Sequence, residues 1–138
     1  MVANLNPIDQ SYIENLIAYN GKLYFTANDG THGKELWEFD GVNPPVLYDF
    51  YPGSYQTYAQ ELTVYNGALY FSGNHPTLGN ELLKFDGTSI SIAEDINNGV
   101  NSSGPAQLTV YNNELYFRTE TVTYGFELWK YDGTTASL

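Results

Sequence analysis

Tyr19-Asn20-Gly21-Lys22-Leu23-Tyr24-Phe25 decides how this chain is read, because it returns as Tyr65-Asn66-Gly67-Ala68-Leu69-Tyr70-Phe71 and again as Tyr111-Asn112-Asn113-Glu114-Leu115-Tyr116-Phe117. The interval is 46 residues both times, and the 138-residue sequence holds three such units. Leu16, Tyr19, Asn20, Leu23, Tyr24, Phe25, Thr31, Gly33, Glu35, Leu36, Asp40 and Gly41 have identical equivalents in both later copies. A fixed period of this length marks a repeat architecture. The expected division of this single repeat domain is therefore approximately 1–46, 47–92 and 93–138. Its outer strand is expected to be split between the termini, with Thr135 to Leu138 matching the first half of the strand seen at Ser89 to Ile92 and Val2 to Asn4 at the far end.

Within a unit, Leu62 to Tyr65 and Ala68 to Ser72 flank Asn66-Gly67, two residues that accept positive φ, so the segment predicts a hairpin with a type I′ turn. In the third copy Asn113 takes the place of Gly and suits the same backbone. A second pair is predicted around Asp86-Gly87, from Glu81 to Phe85 and from Thr88 to Ile96, where Ser89-Ile90-Ser91-Ile92 alternates. Each unit thus reads as four strands. The Gly, Asn, Ser and Pro of 97–105 cannot continue a ladder and read as a connection. Leu-Tyr-Phe is apolar on both strand faces, which calls for sheets covered on both sides, as in stacked blades.

The chain carries 16 Asp plus Glu against 5 Lys plus Arg, a formal charge of −11. That balance offers no basic footprint for nucleic acid or an anionic membrane, and neither is expected as a partner. At 42% hydrophobic and 16% aromatic the sequence can build a core. There is no cysteine, hence no thiolate nucleophile or thiolate metal ligand. Met1 to Gln10 has neither a basic n-region nor an apolar h-region, so no signal peptide is visible in it.

The segments Glu35-Leu36-Trp37-Glu38-Phe39-Asp40-Gly41, Glu81-Leu82-Leu83-Lys84-Phe85-Asp86-Gly87-Thr88 and Glu127-Leu128-Trp129-Lys130-Tyr131-Asp132-Gly133-Thr134 resemble the ELWxxDGT repeat of bacterial proteins. The hairpin before each is similar to the second-strand region of kelch repeats. The resemblance covers the whole chain and implies β-propeller blades in a large surface or secreted protein, hence an extracellular or cell-surface location. It implies no particular activity. Leu83 departs from the Trp, Val42 from the Thr, and the Asp29-Gly30 loop becomes His75-Pro76 and Thr121-Val122. Three blades are too few for a ring, which has four to eight. A head-to-tail homodimer would close six. The rival fold is a β-trefoil, also built from three four-stranded repeats and common among lectins.

The expected function is a non-catalytic module for binding or scaffolding, with carbohydrate as the candidate ligand. The alternative is a purely structural repeat segment of a larger surface protein. No catalytic motif is visible, and the enzyme question stays open. Asp29, His32, His75 and Tyr124 are the candidate ligand-binding residues, expected to converge on one loop face. Trp37 and Trp129 could stack on sugars, but Leu83 at the equivalent position favours packing between blades. Glu35, Glu81 and Glu127 could ring a channel, whereas the favoured reading has each hold a loop by accepting backbone N–H bonds. Asp40, Asp86 and Asp132 read as turn residues that cap their own backbone. Asp95 and Asn97 open a stretch faintly like a calcium loop, but the twelfth-position Glu is missing, so a connecting turn is favoured and no cofactor is expected.

Overall fold

The computed structural model describes residues 2–52 and 55–138. Twelve strands make up its regular structure: β1 (Glu14–Tyr19), β2 (Lys22–Asn28), β3 (Lys34–Phe39), β4 (Val46–Tyr48), β5 (Gln60–Tyr65), β6 (Ala68–His75), β7 (Gly79–Phe85), β8 (Ile90–Glu94), β9 (Ala106–Tyr111), β10 (Glu114–Thr121), β11 (Gly125–Tyr131) and β12 (Ala136–Ser137). They form three four-stranded antiparallel sheets, β1 to β4, β5 to β8 and β9 to β12, each with its strands in chain order. The protein is all-β. The sheets occupy 14–48, 60–94 and 106–137, so divisions at 46 and 92 pass through β4 and β8. Residues 2–13 carry no strand, and β4 is supplied by the chain that follows β3.

Local chemistry explains the hairpins. Asn20 and Gly21 have φ of 48° and 74°, Asn66 and Gly67 45° and 74°, and Asn112 and Asn113 49° and 60°, so both central residues of every turn are left-handed, as a type I′ turn requires. The Asp turns are equally regular. Asp86 Oδ1 accepts the N–H groups of Thr88 and Ser89 at 2.8 and 2.9 Å, Asp132 those of Thr134 and Thr135 at 2.8 and 2.9 Å, and Asp40 those of Val42 and Asn43, both at 2.8 Å. Asn43, aided by these N–H groups, holds the Asp40 carboxyl down at about 2.

The opening strand of each sheet carries a kink. Asn15, Glu61 and Gln107, one repeat apart, all have positive φ, and the β1–β2 and β9–β10 registers shift there. Such a bulge bends the strand and sharpens its twist.

The chain divides into two compact units, Met1–Gln60 and Glu61–Leu138. In the first, Phe25, Ala27 and Trp37 form a buried cluster with Leu5, Leu23, Phe39 and Leu47 against it. Trp37 Nε1 donates to Ala27 O at 3.1 Å. On the opposite face Glu38 accepts from Tyr24 Oη at 2.7 Å, Tyr48 Oη at 3.0 Å and Lys22 Nζ at 2.5 Å. In the third sheet the equivalent ion pair is reversed, with Lys130 Nζ 2.6 Å from Glu114. The reversal keeps the cross-strand charge match while exchanging its ends.

In the second unit two sheets pack face to face. Tyr65, Tyr70 and Leu82 of β5 to β8 meet Leu108, Leu115 and Phe117 of β9 to β12, all buried in one cluster. Polar bonds fix the register of this packing: Tyr65 Oη donates to Asn113 O at 3.1 Å, Thr63 Oγ1 to Leu108 O at 3.3 Å, and Gln107 N to Glu61 Oε2 at 3.1 Å. Both faces of β6 are buried, whereas β10 alternates and Phe126, Glu127 and Leu128 of β11 face solvent.

Candidate functional site

Glu35 and Glu81 carry the most unusual chemistry. Both are fully buried. They sit on β3 and β7 beside Gly33 and Gly79, whose φ is +78° in both cases. A Cβ on Gly33 would lie 2.1 Å from Gln56 Cγ, and one on Gly79 2.8 Å from Ser102 N, so the glycines let the following connection lie flat on the strand.

The connection then clasps the carboxylate. Glu35 accepts Thr57 N at 2.7 Å and Thr57 Oγ1 at 2.5 Å. Glu81 accepts Ser103 N at 2.9 Å, Ser103 Oγ at 2.6 Å and Ile96 N at 2.9 Å. Flanking backbone bonds complete each clasp, with Tyr58 N donating to Lys34 O at 3.0 Å and Gly104 N to Asn80 O at 3.1 Å. Tyr58 and Gly104, together with Tyr12, are left-handed at equivalent repeat positions. Burial pushes both carboxyls up to about 7, against the downward pull of the Thr57 donors and of the Ser103 and Ile96 donors. Asp49 and Asp95, equivalents of each other, add an upward push from their charge.

Glu127 differs. It faces solvent on β11, its neighbour Leu128 is 66% exposed where Leu36 and Leu82 are 0%, and a Cβ on Gly125 would meet nothing within 4 Å. Among the described residues no segment lies over it.

Two of the candidate ligand residues belong to each unit. Asp29 and His32 share one loop of the first unit. Asp29 Oδ1 accepts the N–H groups of Thr31 and His32, both at 2.8 Å, and Oδ2 lies 2.6 Å from His32 Nδ1. That bond raises the His32 pKa, while burial lifts Asp29 less than the His32 donors lower it. An open groove of about 560 Å³ runs beside this loop, its walls mixing Asn6, Asp9 and Asp29 with Leu5, Pro7 and Ile8. His75 and Tyr124 belong to the second unit. His75 Nδ1 accepts from Thr77 N at 3.3 Å, and Tyr124 stands edge-on to Trp129 with ring centres 6.5 Å apart.

Trp37 lies in the first unit's core at 7% exposure, and Trp129 packs at the margin of the second unit's core with Nε1 buried and unbonded. Asp95 and Asn97 serve their own loop: Asp95 Oδ2 accepts Gly99 N at 3.1 Å, and Asn97 Nδ2 donates to Ser102 O at 3.0 Å. Among the described residues no three His, Cys, Asp or Glu side chains gather where they could hold a metal. Sequence reasoning passed over Thr57 and Ser103, although hydroxyl residues at 11, 57 and 103 recur at the 46-residue interval.

The chain matches no protein-family model, no curated protein and no solved structure.

Proposed function

We propose that the chain is a non-catalytic β-propeller module of the ELWxxDGT, kelch-like kind, three blades that close a six-bladed ring with a second copy and present their loops for binding or scaffolding. The observation that carries this reading is the packing in the second unit. Two four-stranded sheets, whose strand ladders do not join among the pairings described, stack through Tyr65, Tyr70 and Leu82 on Leu108, Leu115 and Phe117. Stacked meanders of this kind are how blades bury a sheet on both faces. A trefoil barrel would instead need strands of different repeats to share ladder bonds.

The scaffolding half of the proposal rests on Glu35 and Glu81. Their oxygens are occupied by Thr57, Ser103 and Ile96, which makes them braces between a strand and a connection. The loop with Asp29 and His32 and its mixed polar and apolar groove offer a surface suited to a hydroxyl-rich ligand, and carbohydrate is the class proposed. An extracellular or surface setting goes with the same family reading.

Light scattering on a sizing column tests the assembly. Twice the 15.5 kDa chain mass, about 31 kDa, is expected; a stable monomer would overturn the six-bladed ring. A glycan array then tests the ligand class, and silence across it at 100 μM protein would remove carbohydrate from the proposal.

A further inference from the structure

We propose that the open face of β9 to β12 is a docking surface for the β1 to β4 sheet of a second copy, with Glu127 of one chain clasping Ser11 of the next. This rests on the half-ring reading and specifies its joint.

The second unit supplies the pattern. Its β5 to β8 sheet presents Tyr65, Tyr70 and Leu82 to the next sheet, and the equivalents on β9 to β12 are Tyr111, Tyr116 and Leu128. Tyr111 is 63% exposed and Leu128 66%. The receiving side is built from Leu108, Leu115 and Phe117, whose equivalents are Leu16, Leu23 and Phe25 of the first sheet. Those three line an apolar groove of about 300 Å³ with Leu5, Ile13 and Phe39; Leu16 is 60% exposed, while Phe25 is buried at 5% with Leu5 packed against its cluster. Apolar side chains at these exposures, on two faces that correspond repeat for repeat to a packed pair, fit one another.

The polar pattern matches independently. Gln10-Ser11-Tyr12 is the repeat equivalent of Gln56-Thr57-Tyr58 and of Ser102-Ser103-Gly104. It is already held as they are held: Asn28 N donates to Ser11 O at 2.7 Å, as Glu120 N donates to Ser103 O at 3.0 Å, and Tyr12 shares the left-handed φ of Tyr58 and Gly104. The Ser11 hydroxyl accepts Asn6 N at 3.2 Å, which leaves its proton available to donate. Laid over Gly125, where there is room, Ser11 would offer Glu127 the N–H and O–H that Thr57 offers Glu35. Tyr12 N would meet Phe126 O as Tyr58 N meets Lys34 O. A head-to-tail joint of this kind occurs twice in a closed pair of chains.

Sedimentation equilibrium of the full chain, with Glu127→Ala, Ser11→Ala and Leu128→Glu, is the test. The expected result is a wild-type dimer whose dissociation constant rises about a hundredfold or more in each variant, since Glu127→Ala and Ser11→Ala each remove at least one charge-assisted bond at both joints and Leu128→Glu would bury a charge in the apolar contact at both. Ser11→Thr, which restores the hydroxyl seen at position 57, should retain the dimer. Glu127 and Leu128 are exposed in the single chain, so circular dichroism should show an intact fold for both. A wild-type dimer that all three variants leave unchanged would overturn this joint while leaving the ring to close through another surface. A trimer or an open polymer that the variants dissolve would support the joint and overturn the count of six. A monomer at 100 μM would overturn both.

Discussion

The two buried carboxyls should make the protein lose stability as pH rises. Glu35 and Glu81 are pushed from 4.5 to about 7 by burial, so between those values the folded chain binds protons that the unfolded chain has released. Stability therefore stands highest near the lower end of that window and falls as pH climbs through about 7. At about 1.4 kcal/mol per pKa unit, each carboxyl withdraws about 3 kcal/mol by pH 8. That is a large share of the 5–15 kcal/mol typical of a domain. Glu94, also raised by burial, adds to the same fall, and other groups act elsewhere on the scale. Asp29, Glu38, Asp40, Asp86 and Asp132 are lowered, so what they contribute is lost only as pH falls below the ordinary carboxylate range. His32, raised by Asp29, works in the same direction as the two Glu but only above pH 6.5. Urea titrations followed by tryptophan fluorescence at pH 5 and pH 8, at fixed protein concentration and 0.3 M salt to screen the net charge, should show the difference. Glu35→Gln with Glu81→Gln should remove most of it, because an amide keeps an acceptor for Thr57 N or Ser103 N without a charge to bury. Equal stability at the two pH values, or an undiminished difference in the double variant, would refute the assignment.

Two further outcomes can be read from stability alone. Asn113→Gly should stabilise the chain by about 0.5–1 kcal/mol, since Asn113 holds φ of 60° where both other hairpins use glycine; an unchanged or lower urea midpoint would count against the backbone argument. Lys22→Glu alone should cost about 2 kcal/mol by leaving Glu38, 6% exposed, beside a like charge, whereas Lys22→Glu with Glu38→Lys, the arrangement already present as Glu114 and Lys130, should recover more than half of that in a double-mutant cycle.

The parts of the fold visible in the sequence were those set by local backbone chemistry. Asn-Gly and Asn-Asn turns need left-handed φ at both positions, and Asp-Gly turns close on their own N–H groups, so hairpins and sheet count followed from spacing. The left-handed residues Asn15, Glu61 and Gln107, with register shifts beside the first and last, were not visible, because three different side chains occupy the position. An identity pattern fixes the period but not its phase, so the sheets at 14–48, 60–94 and 106–137 needed the structure to place them. Glu35 and Glu81 stood out by repetition, while Thr57 and Ser103 did not, since a Thr-to-Ser exchange preserves the hydroxyl and breaks the identity.

Repeat arrays keep their ends soluble with polar outer faces, because an end sheet has a neighbour on one side only. Here the open face of β9 to β12 shows Tyr111, Phe126 and Leu128, and the groove of the first sheet shows Ile13 and Leu16, all at least half exposed. Burying one such side chain contributes about 1.5–3 kcal/mol, so five of them supply roughly 8–15 kcal/mol per joint, comparable with the 4–15 kcal/mol that association costs. Apolar area alone therefore sits near balance. In the proposed joint the clasp at Glu127 would decide the sign, with two charge-assisted bonds at roughly 1.5–3 kcal/mol each, so that a weak joint from area would become a specific one through a single carboxylate.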